Sequence, residues 1–428
     1  MPVLDGALHR PSQADRGSGG AYPSGKRGPV PAVRGGRLSA APDKGFWGAP
    51  HLPLFLMAAV WAVLVPLVWL IPDLSDDPVG WHRQELILGF AGAAMGGYLL
   101  TALPHWLKQA GAGAKGPGRR AVQALVLAWI AGRIAAAQPG DGALVLLGIA
   151  AYPVALALSL LIPVLSARLW RRLPIALAPV GLLAVGVGLR LGGDGLAAAL
   201  AMALIVAVVG GRIVPAFLAS RAAQATPLQR GALPAMARLA DAVLALALVG
   251  HLAGVGDSVT GGLLLAAAAG QAARMGRWPL AAGLAGGQGD LLMLVLAWVW
   301  LPVGLTLTGA GLILPDALAG LPLPTGLHAL TMGLMGGMIL AVMARAYMRR
   351  APGALRVGAG LALAFALVMI STLLRLILSA TPVALSVPAA LWCLGWAVFT
   401  LCALRSMAGP TPHPVLSAAR GYSISGLH

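Results

Sequence analysis

Residues 327–350 read LHALTMGLMGGMILAVMARAYMRR. Positions 327–344 hold no Lys, Arg, Asp or Glu, and Arg345, Arg349 and Arg350 follow at once. A run of this length matches the roughly 20 apolar residues that cross about 30 Å of hydrocarbon. Backbone facing lipid must satisfy its own polar groups, so such a run predicts a helix. The same grammar, an apolar run followed by a short charged loop, repeats along the chain. It predicts twelve spans, near 52–71, 86–104, 121–138, 143–165, 174–191, 195–217, 239–256, 258–273, 290–308, 327–344, 357–377 and 385–404. The eighth is short and Ala-rich.

The charges fix the order of these spans. The basic clusters are the N-terminal tail, Lys108–Arg120, Arg168–Arg172, Arg212–Arg238, Arg274 with Arg277, Arg345–Arg356, and Arg405 with Arg420. In a twelve-span chain all of them fall on one side. Only Arg83, Arg133, Arg190 and Arg375 fall on the other, with Asp73, Asp76, Asp77, Asp141, Asp194, Asp257 and Asp316. The positive-inside rule then predicts an all-α polytopic bundle of about twelve transmembrane helices with both termini cytoplasmic. Of the 428 residues, 59% are hydrophobic and 10% charged, and the mean hydropathy is +0.85. That composition excludes an ordinary soluble domain. The net charge of +17 lies in short loops, which speaks against nucleic acid and for a lipid bilayer as the partner.

Residues 1–49 are rich in Gly, Pro, Ser and Arg and lack the apolar core of a signal peptide. They are expected to form a disordered basic cytoplasmic tail, with the twelve-helix domain over 50–405 and a short cytoplasmic tail over 406–428. Cys393 and Cys402 share one span and cannot bridge. No phosphate-binding loop, dinucleotide fingerprint, Cys-x-x-Cys pair or nucleophile triad is present, so no catalytic residue set emerges.

Candidate functional residues gather at the outer end of the bundle. His82 and Glu85 open the second span three residues apart, on one helix face, where the carboxylate would orient the imidazole. The alternative is an interfacial Trp81–His82 pair. His328 opens the tenth span, with Met332 and Met335 on nearby turns; imidazole with thioether suits Cu(I), whereas Met more commonly fills gaps between helices. His251 lies late in the seventh span, at the same level, as a third metal-ligand candidate. Arg133 and Arg375 lie there too, to hold an anionic group or to pair with an acid such as Glu85. The second and tenth spans share direction, an outer His and a Gly-rich middle, which hints at an internal repeat.

The pieces GWHRQELILGF, LLTALPHW, LAWIAGRIA, GGRIVPAF, HALTMGLMGGMILAVMAR, LLRL and LWCLGWAVF occur in this order between residues 80 and 399. Together they resemble the NnrS family of polytopic membrane proteins. The resemblance implies a bacterial inner-membrane protein associated with haem and copper, with denitrification, and with protection from nitric oxide and nitrosative stress. It implies haem ligation by His82 and His328, with Glu85, Arg133 and Arg375 around the cofactor. The chain departs from the family pattern at Gln84 and Arg350 and, on helix nine, at Val295, where histidines are expected. A cofactor-free transporter or accessory protein on the same scaffold is therefore the second reading.

Overall fold

The computed structural model describes residues 45–111, 116–222, 233–314, 323–351, 354–379, 381 and 383–408. Most of the expected N-terminal tail and of the C-terminal tail lie outside these residues, as does Asp316. Among the described residues twelve long helices follow one another. They are α1 His51–Trp69, α2 Pro78–Gln109, α3 Arg119–Ala136, α4 Ala143–Ser166, α5 Trp170–Arg190, α6 Gly195–Ala222, α7 Leu233–Leu252, α8 Asp257–Gly276, α9 Gly289–Ile313, α10 Leu323–Tyr347, α11 Ala359–Ile377 and α12 Ser386–Met407. Ten are long and apolar enough to cross a membrane. The other two, α3 and α8, carry more polar groups, among them Arg119, Arg120 and Arg133 in α3 and Asp257, Gln271 and Arg274 in α8. The chain is thus an all-α, multi-pass membrane bundle. A small hairpin, β1 Arg349–Ala351 with β2 Ala354–Arg356, connects α10 to α11 and contains Arg350.

The helices alternate in direction between an end rich in Arg and Lys and an end rich in Asp. Neighbours in sequence pack as antiparallel pairs, notably α3 with α4, α7 with α8, and α11 with α12, while α12 also closes against α1. Their outer faces carry exposed Leu and Ile, such as Leu127, Ile130 and Ile134 on α3 and Leu246 and Val249 on α7. Apolar side chains at helical spacing on the outside are what a lipid-facing surface requires.

Two helices are longer than the hydropathy suggests. Pro78 sits in the first turn of α2, and the Asp77 carboxylate caps it by accepting from the Gly80 N–H at 2.8 Å. The polar sequence Trp81–Glu85 is therefore the first part of a helix and not a loop. α2 and α10 also widen into π-turns, over Glu85–Ala91 and Ala329–Gly336 respectively. Wide turns of this kind are rare and gather at functional sites.

Inside lipid a carbonyl that loses its helical donor must find another. Pro66 has no N–H to offer the Ala62 carbonyl four residues back; the Trp392 indole N–H on α12 donates to it instead at 2.9 Å. The neighbouring Val63 carbonyl accepts from the Cys393 thiol at 3.2 Å. Pro215 likewise frees the Gly211 carbonyl, and Arg274 Nη2 donates to it at 2.6 Å. Within the wide turn of α2 and at its end, the Gly89 carbonyl accepts from Trp129 at 2.9 Å and the Gly92 carbonyl from Tyr152 at 3.1 Å.

A thermodynamic cycle tests the Trp392–Ala62 bond. Trp392→Phe is expected to destabilise the folded protein by about 1–3 kcal/mol, the cost of a buried acceptor left unpaired. In a Pro66→Ala background, where residue 66 regains its N–H, the same substitution should cost much less. Equal costs in both backgrounds, read from unfolding in detergent, would refute the assignment.

Candidate site at the acidic end of the bundle

α2 and α10 bring His82 and His328 together. Each histidine lies four residues after a proline near the start of its helix, Pro78 or Pro324, and just before the π-turn. Their ring centroids are 6.4 Å apart and the planes meet at 31°. The histidines are half-buried.

The partners assign the tautomers. A carbonyl only accepts, so the His328 Nδ1–H donates to the Pro324 carbonyl at 2.6 Å and the Nε2 lone pair is left for a ligand. An indole N–H only donates, so His82 Nδ1 accepts from Trp69 at 3.2 Å and its proton sits on Nε2. The two imidazoles are therefore in opposite states.

Glu85 does not orient His82, as helical spacing suggested. It stands at the start of the wide turn, and its side chain is taken by other partners. The fully buried carboxylate accepts from Arg133 Nη1 at 2.8 and 2.9 Å and from the Trp61 indole at 2.7 Å. Arg133 is correspondingly a structural partner of Glu85, with its guanidinium near the Trp129 ring (5.6 Å to the centroid). Gly89 permits the close approach, because a Cβ there would lie 2.3 Å from the Trp61 ring. Met332 and Met335 are buried within the wide turn of α10. Met335 lines an apolar cavity deeper in the bundle.

Arg375, near the end of α11, bears electrostatically on both imidazoles. Its Nε is buried without a hydrogen-bond partner, as is the Nε of Arg133. The contrast with Arg133 is informative, because the two halves of the site match. Three residues after His82 stands Glu85; three residues after His328 stands Thr331, whose hydroxyl donates to the Leu327 carbonyl at 2.8 Å. Arg133 has its carboxylate, and among the described residues Arg375 has none. The amide Nε2 of buried Gln84, at an expected histidine position, also lacks a partner. Val295, another such position, is a buried core residue of α9.

His251 does not join the pair. Its Nε2 bonds Asp194 in the turn between α5 and α6. Among the described residues no three His, Cys, Asp or Glu side chains converge as a metal site would. Arg190 is also placed elsewhere, donating to the Ala136 and Gly140 carbonyls at the end of α3 and just beyond it.

Two further ion pairs escaped the sequence, which put their cations in loops. Arg274 pairs with Asp241 between α8 and α7 at 3.0 Å, and Arg345 pairs with Asp290 between α10 and α9. Both arginines are buried near the basic end of the bundle. The only signal was an acid at the same level of a neighbouring span.

The model of the NnrS protein family matches residues 45–410. The chain belongs to that family. No curated protein matches it.

Two outcomes are expected of the pairs. Glu85→Ala strands the buried Arg133 charge and should lower stability by about 3–5 kcal/mol. Glu85→Leu with Arg133→Leu should recover much of that loss, and a double variant no better than the single one would contradict the pairing. Burial works to raise the Asp194 pKa, but hydrogen bonds from His251 and from the Leu196 and Ala197 N–H groups outweigh it and hold the carboxyl below its ordinary value. A depressed carboxyl contributes stability above the unfolded value, about 3.9, and loses it as pH falls through the lower folded value. Asp194→Asn should therefore flatten the thermal midpoint's decline below about pH 4. An unchanged acid flank would remove this role.

Proposed function

We propose that this NnrS-family protein binds haem between His82 and His328 and serves the response to nitric oxide in a bacterial inner membrane. The observation that carries the reading is the 6.4 Å between the two ring centroids. Two metal–nitrogen bonds of about 2.0 Å each and the half-widths of two imidazoles fill such a gap with one metal atom between them. Two neutral histidines are also a recurrent donor set for iron.

The residues fit the role unequally. His328 is prepared, because the Pro324 carbonyl fixes its ring and leaves Nε2 free. His82 must move its proton from Nε2 to Nδ1 and release Trp69 before Nε2 becomes a donor atom. Arg375 supplies an unsatisfied buried N–H beside the pair, suited to a carboxylate such as a propionate. Glu85 and Arg133 neutralise each other and hold α2 against α3. A haem bound here would supply one-electron chemistry and, where one histidine yields, an iron position for a diatomic ligand. Nitric oxide is small and apolar, so lipid gives it a route to the site. The positive-inside rule puts this end of the bundle on the outer side of the membrane.

A single Cu(I) held by the same two nitrogens is the second reading, favoured by the same separation. It leaves the Arg375 N–H without a role, which is why haem is preferred.

The test is the visible spectrum of protein expressed with excess haem and purified in mild detergent, with metal analysis of the same sample. One haem per chain is expected, with a Soret band that shifts on adding nitric oxide. His82→Ala and His328→Ala should each abolish the band. Arg375→Leu should weaken haem retention about 10–100-fold, and Met335→Leu should leave it unchanged. A full Soret band in either histidine variant would overturn the assignment, and copper without haem would select the second reading.

A further inference from the structure

Between α2, α6 and α10 lies a partly open apolar cavity of about 90 Å³. It is separate from the histidine pair, and its occupancy does not depend on haem binding. Its wall is drawn from Ala91–Leu99 on α2, Met202–Ile213 on α6 and Met335–Met343 on α10, with Phe55 and Ala178 contributing from α1 and α5. At 1.5 Å per residue these stretches run about 12–16 Å along three helices. The space is therefore long and narrow, and it lies parallel to the helices as lipid chains do.

Its chemistry restricts the occupant. The lining is aliphatic side chains, methionines and Phe55, with the Tyr98 phenol as its one polar side chain. Water needs two to four polar partners in a buried site, and this wall does not supply them. The volume is several times the roughly 15 Å³ that one water needs in the same measure, more than a diatomic gas fills. The cavity is partly open to the surroundings of the bundle, so a chain from the bilayer can enter it. Met95, Met202, Met335, Met338 and Met343 give a wall that adapts to a flexible chain.

The basic end of the cavity carries cations. Arg172 stacks on Trp106, in α2's last turns, at 5.5 Å from the centroid of that ring. Arg212 follows Gly210 and precedes Ile213, both in the wall, and its side chain is exposed. Cations at the headgroup level attract phosphate.

We infer that this cavity holds an acyl chain of a membrane phospholipid whose headgroup phosphate lies at Arg212 and Arg172. The full-length protein, reconstituted with phosphatidylglycerol carrying a diazirine near the middle of one acyl chain, is irradiated, and the labelled peptides are mapped by mass spectrometry. Labels are expected on 202–213 and 335–343. Ala94→Leu, which fills the cavity from α2, should lower labelling there at least fivefold, and Arg212→Gln should lower it severalfold while other lipid-facing labels persist. Phospholipid extracted from extensively delipidated protein should approach one per chain and fall in Ala94→Leu. Labels confined to the outer helix faces would overturn the inference, as would recovery of an isoprenoid quinone in place of phospholipid. The wild-type label map decides the matter even if Ala94→Leu fails to fold.

Discussion

A carbonyl that a proline or a wide turn releases inside a bilayer needs a new donor, and four such carbonyls in this bundle find one on a neighbouring helix. Lipid offers no hydrogen bonds, so an unsatisfied carbonyl costs several kcal/mol. The donors come from neighbouring helices: Trp392 to Ala62, Arg274 to Gly211, Trp129 to Gly89, Tyr152 to Gly92. Each bond ties two helices at a fixed depth. Helix association in lipid gains little from the hydrophobic effect, so such bonds and close packing carry the specificity. The irregular stretches of backbone are thus the places where the helices are pinned together.

The same constraint shapes the histidine site. A wide turn begins at Glu85, three residues after His82, and the carboxylate reaches Arg133 and Trp61. A wide turn also follows His328, and Thr331 within it bonds its own helix. One construction thereby gives two outcomes. In the first half a buried acid neutralises Arg133. In the second half no acid among the described residues pairs with Arg375, which keeps an unsatisfied N–H. The pseudo-symmetry supplies a pair of facing histidines, and the break in it supplies a cation for something brought from outside.

Much of the bundle was legible in the sequence, because hydropathy and charge act over whole spans. The alternation of Arg and Asp clusters ordered the helices, and His82 and His328 were matched by position and direction. The errors are local and share a cause. Regular helical spacing joined Glu85 to His82 and Met335 to His328; π-turns break that spacing, and no single residue announces one. Trp69, the actual partner of His82, gave no sign of that role, because it stands on another helix thirteen residues earlier. His251 shared the right depth but bonds a turn residue, Asp194. Depth is written in the sequence by hydropathy, whereas position around the bundle is set by packing that one chain's pattern does not encode.

The positions of the charges also weigh on the transporter reading. Glu85 with Arg133 lies near the acidic end; Asp241 with Arg274 and Asp290 with Arg345 lie near the basic end. Coupled transport of polar solutes places ionisable groups near the midplane, in a cavity that water reaches. Here the mid-depth cavity is apolar and the buried charges are closed into pairs that clamp helix ends. A paired charge in low dielectric is costly to open, so these clamps resist the rocking that alternating access demands. The arrangement suits a rigid frame holding a group at one end better than a machine that moves a solute through the middle.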